Sequence, residues 1–190
     1  GGGDEDVAMG AMETTRREHR QAQAHARQLP PGVPVPEPSM GEAPLYLDAG
    51  DRRVTVLAAM TAPRIVVLGG LLTDAECDAL MDAARPRLSR SLTVATATGG
   101  QEVNADRTSQ GMFFERGESE ITARIEARIA RLLNWPVANG EGLQVLRYGP
   151  GTEYKPHYDY FDPEQPGTPT LLARGGQRVG TLVMYLNEPE

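Results

Sequence analysis

Apolar residues recur with helical spacing in the second half of the chain. A helix is predicted from four of them that are four, four and three positions apart: Ile121, Ile125, Ile129 and Leu132. Glutamate and arginine fill the positions between them, and we expect these charges to form a solvated face. Further upstream, Thr73-Asp-Ala-Glu76 has the pattern of a capping box. It predicts another helix that ends near Pro86.

Other segments have the β-branched composition and alternation of strands. Strands are predicted at Arg64–Leu68, Leu143–Tyr148 and Val179–Leu186. In the last of these, alternate residues point to opposite faces. One face would present Thr181, Val183 and Tyr185, and the other Leu182, Met184 and Leu186. The mixture of predicted helices and strands indicates an α+β or mainly β fold.

Proline, glycine and polar residues mark the connections. Pro30–Pro38 contains five prolines and predicts an extended linker. We therefore expect a flexible tail over residues 1–40 and a domain over 41–190. Asp162–Thr170, which continues to Gly176, and Thr96–Asn104 are predicted to be mobile loops at a pocket mouth.

Composition excludes some classes of partner. The chain has 26 acidic and 19 basic residues, a net charge of −7, so we expect no nucleic-acid binding and no membrane-surface patch. It has no apolar run long enough to span a membrane. The single cysteine, Cys77, lies in an apolar helical stripe and cannot form a disulfide within the chain. We expect a cytoplasmic protein, leaving open a removed targeting segment.

His157 and Asp159 are the strongest candidates for chemistry. If they lie in a strand, residues two apart point to the same face and both can bind one metal ion. One further histidine would complete the two-histidine, one-carboxylate triad of non-haem Fe(II) oxygenases. The remaining histidines are His19 and His25, both in the predicted tail.

The surrounding sequence resembles a known family over about two thirds of the chain, from Arg64 to Glu190. The resemblance is carried by Arg107–Ser109, Ile121–Leu133, Glu141–Leu146, Tyr148-Gly149, Tyr154–Phe161, Gly175–Val179 and Thr181–Asn187. In this order these segments resemble the prolyl 4-hydroxylase family of Fe(II)- and 2-oxoglutarate-dependent dioxygenases. The resemblance implies a double-stranded β-helix, or jelly-roll, core with supporting N-terminal helices.

The same resemblance implies a function and its residues. His157 and Asp159 would bind Fe(II), with ascorbate as the expected reductant. Tyr148, Thr181 and Tyr185 would contact 2-oxoglutarate, which is decarboxylated to succinate. The hydroxylated substrate would be a prolyl residue of a peptide or protein. The residues implied to surround the peptide are Arg107, Ser109, Glu141, Tyr154 and Arg178.

Several alternatives stay open. Glu141 and Arg178 could simply pair with each other, and Thr181 and Tyr185 could simply pack in a strand. The same chemistry could act on another side chain or a free amino acid. The family's distal iron-ligating histidine and the basic residue that anchors 2-oxoglutarate would follow Glu190. We therefore expect an incomplete barrel whose free edge, or the proline-rich tail, allows self-association. If the chain truly ends there, a non-catalytic peptide-binding module is the alternative.

Overall fold

The computed structural model describes residues 37–40, 45–94, 98, 100–102 and 107–188 of this 190-residue chain. All of them belong to one unit, Val35–Glu190. The predicted tail and the predicted loop Thr96–Asn104 lie mostly outside the described residues. The domain boundary expected at residue 40 therefore stays a prediction.

The first sheet is antiparallel and three-stranded, in the order β1-β2-β3. Its strands are β1 (Tyr46–Asp48), β2 (Arg53–Thr61) and β3 (Arg64–Gly69). β3 confirms the strand predicted at Arg64–Leu68, whereas no element was predicted where β1 and β2 lie. The pairing of β2 with β3 shifts between Val56 and Ala58, which leaves Leu57 as an extra residue in a bulge.

Two helices confirm the capping and periodicity signals. α1 (Asp74–Ala84) begins with a capping box in which the Thr73 side chain accepts from the Glu76 N–H and Glu76 accepts from the Thr73 N–H. α2 (Glu120–Leu133) begins at Ser119 and is followed by Asn134 in the left-handed region, at φ 51°. Asparagine tolerates this conformation because its short amide can bond locally, so the helix stops there.

The second sheet is also antiparallel. It consists of β4 (Ser89–Arg90), β7 (Gln110–Phe113) and β8 (Gln144–Arg147), with β7 in the middle. A separate pair joins β5 (Thr93–Val94) to β6 (Gln101–Glu102). β8 confirms the strand predicted at Leu143–Tyr148, and β6 occupies part of the predicted loop Thr96–Asn104.

The core forms where the two helices meet the sheets. The first cluster contains Leu80, Ala84, Met112, Phe114 and Ile125. The second contains Leu47, Ala49, Val54 and Leu132. Ile125 is fully buried, and burying such a side chain contributes about 1.5–3 kcal/mol. Because α2 supplies a residue to each cluster, it connects the two sheets.

Arg128 contradicts the solvated face predicted for α2. Its side chain is 2% exposed and donates two hydrogen bonds to Asp51 (2.8 and 2.6 Å) and two to Glu76 (2.9 and 2.8 Å). The Asp51 and Glu76 carboxylates raise the pKa of Arg128, and Arg128 lowers the pKa of Glu76 to about 2. The prediction was wrong because Arg128 follows Ile125 by three positions and so shares its face.

The segment predicted as a strand at Val179–Leu186 is irregular. Within the described ranges no strand pairs with it, and a strand needs a neighbour's backbone groups to form a ladder. The predicted alternation is nevertheless confirmed, because Leu182, Met184 and Leu186 are half-buried between more exposed residues. Met184 and Leu186 pack against the first core cluster.

The predicted loop after Asp159 contains a helix, α3 (Thr168–Gly175). Pro169 lies in its first turn, where the missing N–H has no intrahelical partner to lose. The expectation of a loop without regular structure was therefore wrong over these residues. The described fold is a mixture of helices and antiparallel sheets that do not close into a barrel.

None of the helices in the described residues is both long and apolar enough to cross a membrane.

Candidate metal and peptide site

Two short segments lie side by side just before the candidate metal ligands. Thr108 donates its N–H to the carbonyl of Glu153 (2.9 Å), and the N–H of Glu153 donates to the Thr108 hydroxyl (2.8 Å). Arg107 and Tyr154 form an isolated antiparallel bridge. The backbone thus holds Arg107 next to the segment that leads to His157.

His157 and Asp159 lie in an irregular segment, so the predicted strand geometry is wrong. Pro156 has no N–H to offer a ladder, and no strand of the described chain pairs with these residues. The side chains converge all the same. His157 Nε2 lies 3.2 Å from Asp159 Oδ1, with the two side chains 38% and 41% exposed.

A neighbouring group fixes each of the two side chains. His157 Nδ1 lies 2.8 Å from the carbonyl oxygen of Lys155, which can only accept a hydrogen bond. This contact favours the ring tautomer with its proton on Nδ1, leaving the Nε2 lone pair to face Asp159. Thr181 donates its hydroxyl to the other carboxylate oxygen, Asp159 Oδ2, at 2.5 Å.

This arrangement fits a metal ion. In the neutral ring, Nε2 and Asp159 Oδ1 are both electron-pair donors, so one metal ion could accept electron pairs from both. Adjacent ligands about 2.1 Å from an octahedral ion are about 3.0 Å apart, close to the observed 3.2 Å. Among the described residues no group of three or more His, Cys, Asp or Glu side chains could hold a metal. His157 and Asp159 are candidates for two ligands, and His19 and His25 lie outside the described residues.

Tyr154 stacks on His157. Their ring centroids are 3.6 Å apart and their planes differ by 25°. Arg107 also contacts Tyr154, with its guanidinium carbon 4.7 Å from the ring centroid. Arg107 is 8% exposed and donates from Nη1 to the carbonyl of Leu92 (3.2 Å). Its Nε is buried with no hydrogen-bond partner in the part of the chain that is described.

Glu141 and Arg178 form a two-point ion pair, the alternative that the sequence left open. Arg178 Nε and Nη2 lie 2.6 and 2.9 Å from the two Glu141 carboxylate oxygens. Glu141, with a smaller contribution from Asp159, raises the pKa of Arg178. The guanidinium also lies over the ring of Phe161, 4.9 Å from its centroid.

Gln177 is a residue that the sequence did not predict. Its side-chain amide accepts from the N–H of Phe161 (2.6 Å) and donates to the carbonyl of Phe161 (2.7 Å). These two bonds join the ends of the segment that contains α3. A glutamine between Gly176 and Arg178 has no distinctive sequence signal, so its pairing with Phe161 becomes evident only from the three-dimensional structure.

The structure does not place the remaining predicted site residues beside His157 and Asp159. Ser109 is fully buried, and its hydroxyl donates to the Ser91 hydroxyl (3.1 Å). Tyr148 and Tyr185 are 48% and 80% exposed. The structure therefore assembles Arg107, Tyr154, His157, Asp159 and Thr181 around one point, with Glu141 and Arg178 paired nearby. The binding roles of all these residues stay predictions.

Comparison with known proteins identifies a family match and several relatives. The 2OG-Fe(II) oxygenase superfamily matches residues 143–190, which include His157 and Asp159. Prolyl 4-hydroxylase 5 of Arabidopsis thaliana is 43% identical over 139 residues, which is 73% of this chain and 45% of the relative. Prolyl 4-hydroxylase 1 of the same plant is 46% identical over 129 residues, 67% of this chain and 44% of that protein. The chain spans about half the length of the curated relatives it matches.

Proposed function

Because this chain belongs to the prolyl 4-hydroxylase family of Fe(II)- and 2-oxoglutarate-dependent dioxygenases, we propose that it serves to hydroxylate prolyl residues in a peptide or protein. The observation that carries the proposal is the convergence of His157 Nε2 and Asp159 Oδ1, 3.2 Å apart. The proposed cofactors are Fe(II) and the cosubstrate 2-oxoglutarate, with ascorbate as reductant.

At this centre the side chains of the protein would bind the metal ion and orient its ligands. When bound, Fe(II) and 2-oxoglutarate would supply oxidative decarboxylation by O2 to succinate and CO2, with one oxygen atom of O2 going to succinate and the other to a C–H bond of the substrate. His157 and Asp159 would hold the metal through Nε2 and Oδ1. The Lys155 carbonyl keeps the histidine proton on Nδ1, and the Thr181 hydroxyl restrains the carboxylate. Such neighbouring hydrogen bonds commonly change metal affinity or activity 10–100-fold.

The proposed cosubstrate contacts are Tyr148, Thr181 and Tyr185. The exposed positions of the two tyrosines leave their hydroxyls accessible to a carboxylate. Thr181 already uses its hydroxyl on Asp159, so its proposed contact with 2-oxoglutarate would use the remaining lone pairs or the methyl group.

The proposed peptide contacts are Arg107, Ser109, Glu141, Tyr154 and Arg178. A proline-rich peptide is already extended and offers carbonyl acceptors but few N–H donors. The Arg107 Nε, buried without a partner in the described structure, is a donor suited to such a carbonyl. To contact the peptide, the Ser109 hydroxyl would have to break its hydrogen bond with the Ser91 hydroxyl. Arg178 would contact the peptide while Glu141 holds its guanidinium in a fixed plane.

Three broader features belong to the same proposal. The jelly-roll core is proposed from the family, since the described sheets are antiparallel but open. A cytoplasmic setting is proposed from the single cysteine. Self-association is proposed through a free strand edge or the proline-rich tail; exposed Ile65 and Val67 on the edge strand β3 support the first route.

The test is turnover of 2-oxoglutarate to succinate by the full-length protein with Fe(II) and ascorbate. Proline-rich peptide, lysine-containing peptide and free proline would be compared as substrates, with His157→Ala as control. We expect succinate formation that the proline-rich peptide stimulates and that His157→Ala abolishes. If only free proline or only the lysine-containing peptide stimulates succinate formation, that compound would be the substrate and the proposed prolyl peptide would not. Peptide binding without turnover would favour the non-catalytic module.

A further inference from the structure

Tyr154 has both faces of its ring occupied. The imidazole of His157, 3.6 Å away and nearly parallel, covers one face. The Arg107 guanidinium carbon is 4.7 Å from the same ring centroid, and a second flat group at that distance has room only over the other face. The ring is therefore enclosed between a buried cation and a candidate metal ligand. A proline ring could not stack on Tyr154 without displacing one of them.

We propose that Tyr154 is a positioning residue for the metal ligand His157, and that Arg107 holds it in place from the opposite face. This inference rests on the proposed function, because it requires His157 to bind a metal. It adds a role beyond the peptide contact considered above for Tyr154, since its ring would serve the metal site and only its hydroxyl would face the substrate.

The contacts of His157 show why a stacking partner matters. The Lys155 carbonyl restrains one ring nitrogen and Asp159 lies beside the other, but both contacts lie in the ring plane. Neither in-plane contact prevents the imidazole from tilting out of its own plane. The Tyr154 ring stacked 3.6 Å away prevents such tilting, because tilting would break the stacking contact. Tyr154 thus supplies the restraint that the two in-plane contacts lack.

Arg107 is suited to hold Tyr154. It is 8% exposed, and the antiparallel bridge fixes its backbone to that of Tyr154. A guanidinium over the face of a tyrosine is attracted by the ring's negative face, more strongly where water is excluded. Movement of Tyr154 would therefore separate a desolvated cation from its aromatic partner. The stack is anchored at the buried end and carries the metal ligand at its more exposed end.

The two functions of the tyrosine can be separated by substitution. Tyr154→Phe keeps the ring and removes the hydroxyl, whereas Tyr154→Leu removes both. Tyr158→Leu is the matched control, because Tyr158 lies next to both metal ligands but is 81% exposed and contacts Tyr160 instead of His157. The probe is Co(II), titrated into the full-length protein and followed by its visible absorption.

We expect Tyr154→Leu to weaken Co(II) binding about tenfold and to alter the absorption bands. Tyr154→Phe and Tyr158→Leu should bind Co(II) as the wild type does, while Tyr154→Phe raises KM for a proline-rich peptide without a matching fall in kcat. Wild-type Co(II) affinity and spectrum in Tyr154→Leu would overturn the inference. So would equal losses in the Phe and Leu variants.

His157→Ala distinguishes this failure from failure of the proposed function. If His157→Ala binds Co(II) as tightly as the wild type, His157 is not a metal ligand. Both the proposed function and the positioning role of Tyr154 would then be wrong. If His157→Ala loses binding and Tyr154→Leu does not, only the positioning role is wrong. Should Tyr154→Leu not fold, Tyr154→Met, which also removes the ring, replaces it in the same Co(II) titration. Wild-type affinity and spectrum in Tyr154→Met would then overturn the inference.

Discussion

At the scale of single residues, the site is determined by small polar contacts around Asp159 and Arg178. The Thr181 hydroxyl donates to Asp159 Oδ2, so the oxygen that faces His157 is left to bind a cation. Glu141 holds Arg178 by two hydrogen bonds, which fixes the guanidinium plane. Neither contact is needed for the core, because all these side chains are partly or largely exposed.

Thr181→Val should weaken metal binding about tenfold, because it removes the hydrogen bond that orients Asp159. Thr181→Ser should restore binding, since it keeps the hydroxyl. Calorimetric titration of the full-length protein with Mn(II) measures the effect. Thr170→Val, on the exposed side of α3, is the control and should bind as the wild type does. Equal affinities for Thr181→Val and the control would contradict the role given to this hydroxyl.

Glu141→Gln should raise KM for a proline-rich peptide several-fold and leave folding nearly unchanged. The pair with Arg178 is 56% and 35% exposed, and exposed pairs of this kind contribute less than about 1 kcal/mol to stability. Glu120→Gln, which breaks the exposed pair with Arg124 on α2, is the control and should change neither quantity. An unchanged KM would show that Glu141 does not order the peptide site.

At the scale of elements, local signals in the sequence predicted α1, α2 and β3 and missed β1, β2 and α3. α1 and α2 were predictable because their capping residues and apolar spacing lie within a few residues of one another. β1 and β2 were not, because these strands are formed by pairing with each other and with β3 and carry no distinctive local signal. The His157–Asp159 pair was identified from its spacing, and the family resemblance supported it. Its irregular backbone and the stack on Tyr154 follow only from the three-dimensional path.

Arg128→Leu should destabilise the fold by about 3–5 kcal/mol. It removes the two short hydrogen bonds of Arg128 to Glu76, whose side chain is 10% exposed, and leaves this buried carboxylate only the longer ion pair with Arg52, at 3.4 Å. Chemical denaturation followed by circular dichroism measures the change. Arg124→Leu, one turn earlier on the exposed side of α2, should change stability by less than about 0.5 kcal/mol. Similar losses in both variants would mean that the Arg128 network is not what joins α1 and α2.

At the scale of the whole molecule, one network of charges links its parts. Arg128 of α2 connects Glu76 of α1 with Asp51, which lies between β1 and β2. Arg131 of the same helix pairs with Asp48, and the pKa values of both aspartates are lowered. The sequence suggested solvated charges here because spacing alone does not show which positions at the edge of an apolar face become buried.

This network should make the fold sensitive to acid. The pKa of Glu76 falls from 4.5 to about 2 on folding, so its contribution is fully present above pH 4.5 and is lost as the pH falls towards 2. The shift corresponds to about 3 kcal/mol. Thermal unfolding between pH 5 and pH 2 should show a steep decline for the wild type. Glu76→Gln should start less stable and decline less, and parallel curves for the two proteins would contradict this linkage.

The most direct test of the whole account is to identify the product. The full-length protein is incubated with Fe(II), 2-oxoglutarate, ascorbate and a proline-rich peptide, and the peptide is sequenced by tandem mass spectrometry. The account predicts one added oxygen atom on prolyl residues, dependent on 2-oxoglutarate and absent with His157→Ala or Asp159→Ala. Hydroxylation that persists in these two variants, or that falls only on other side chains, would contradict it.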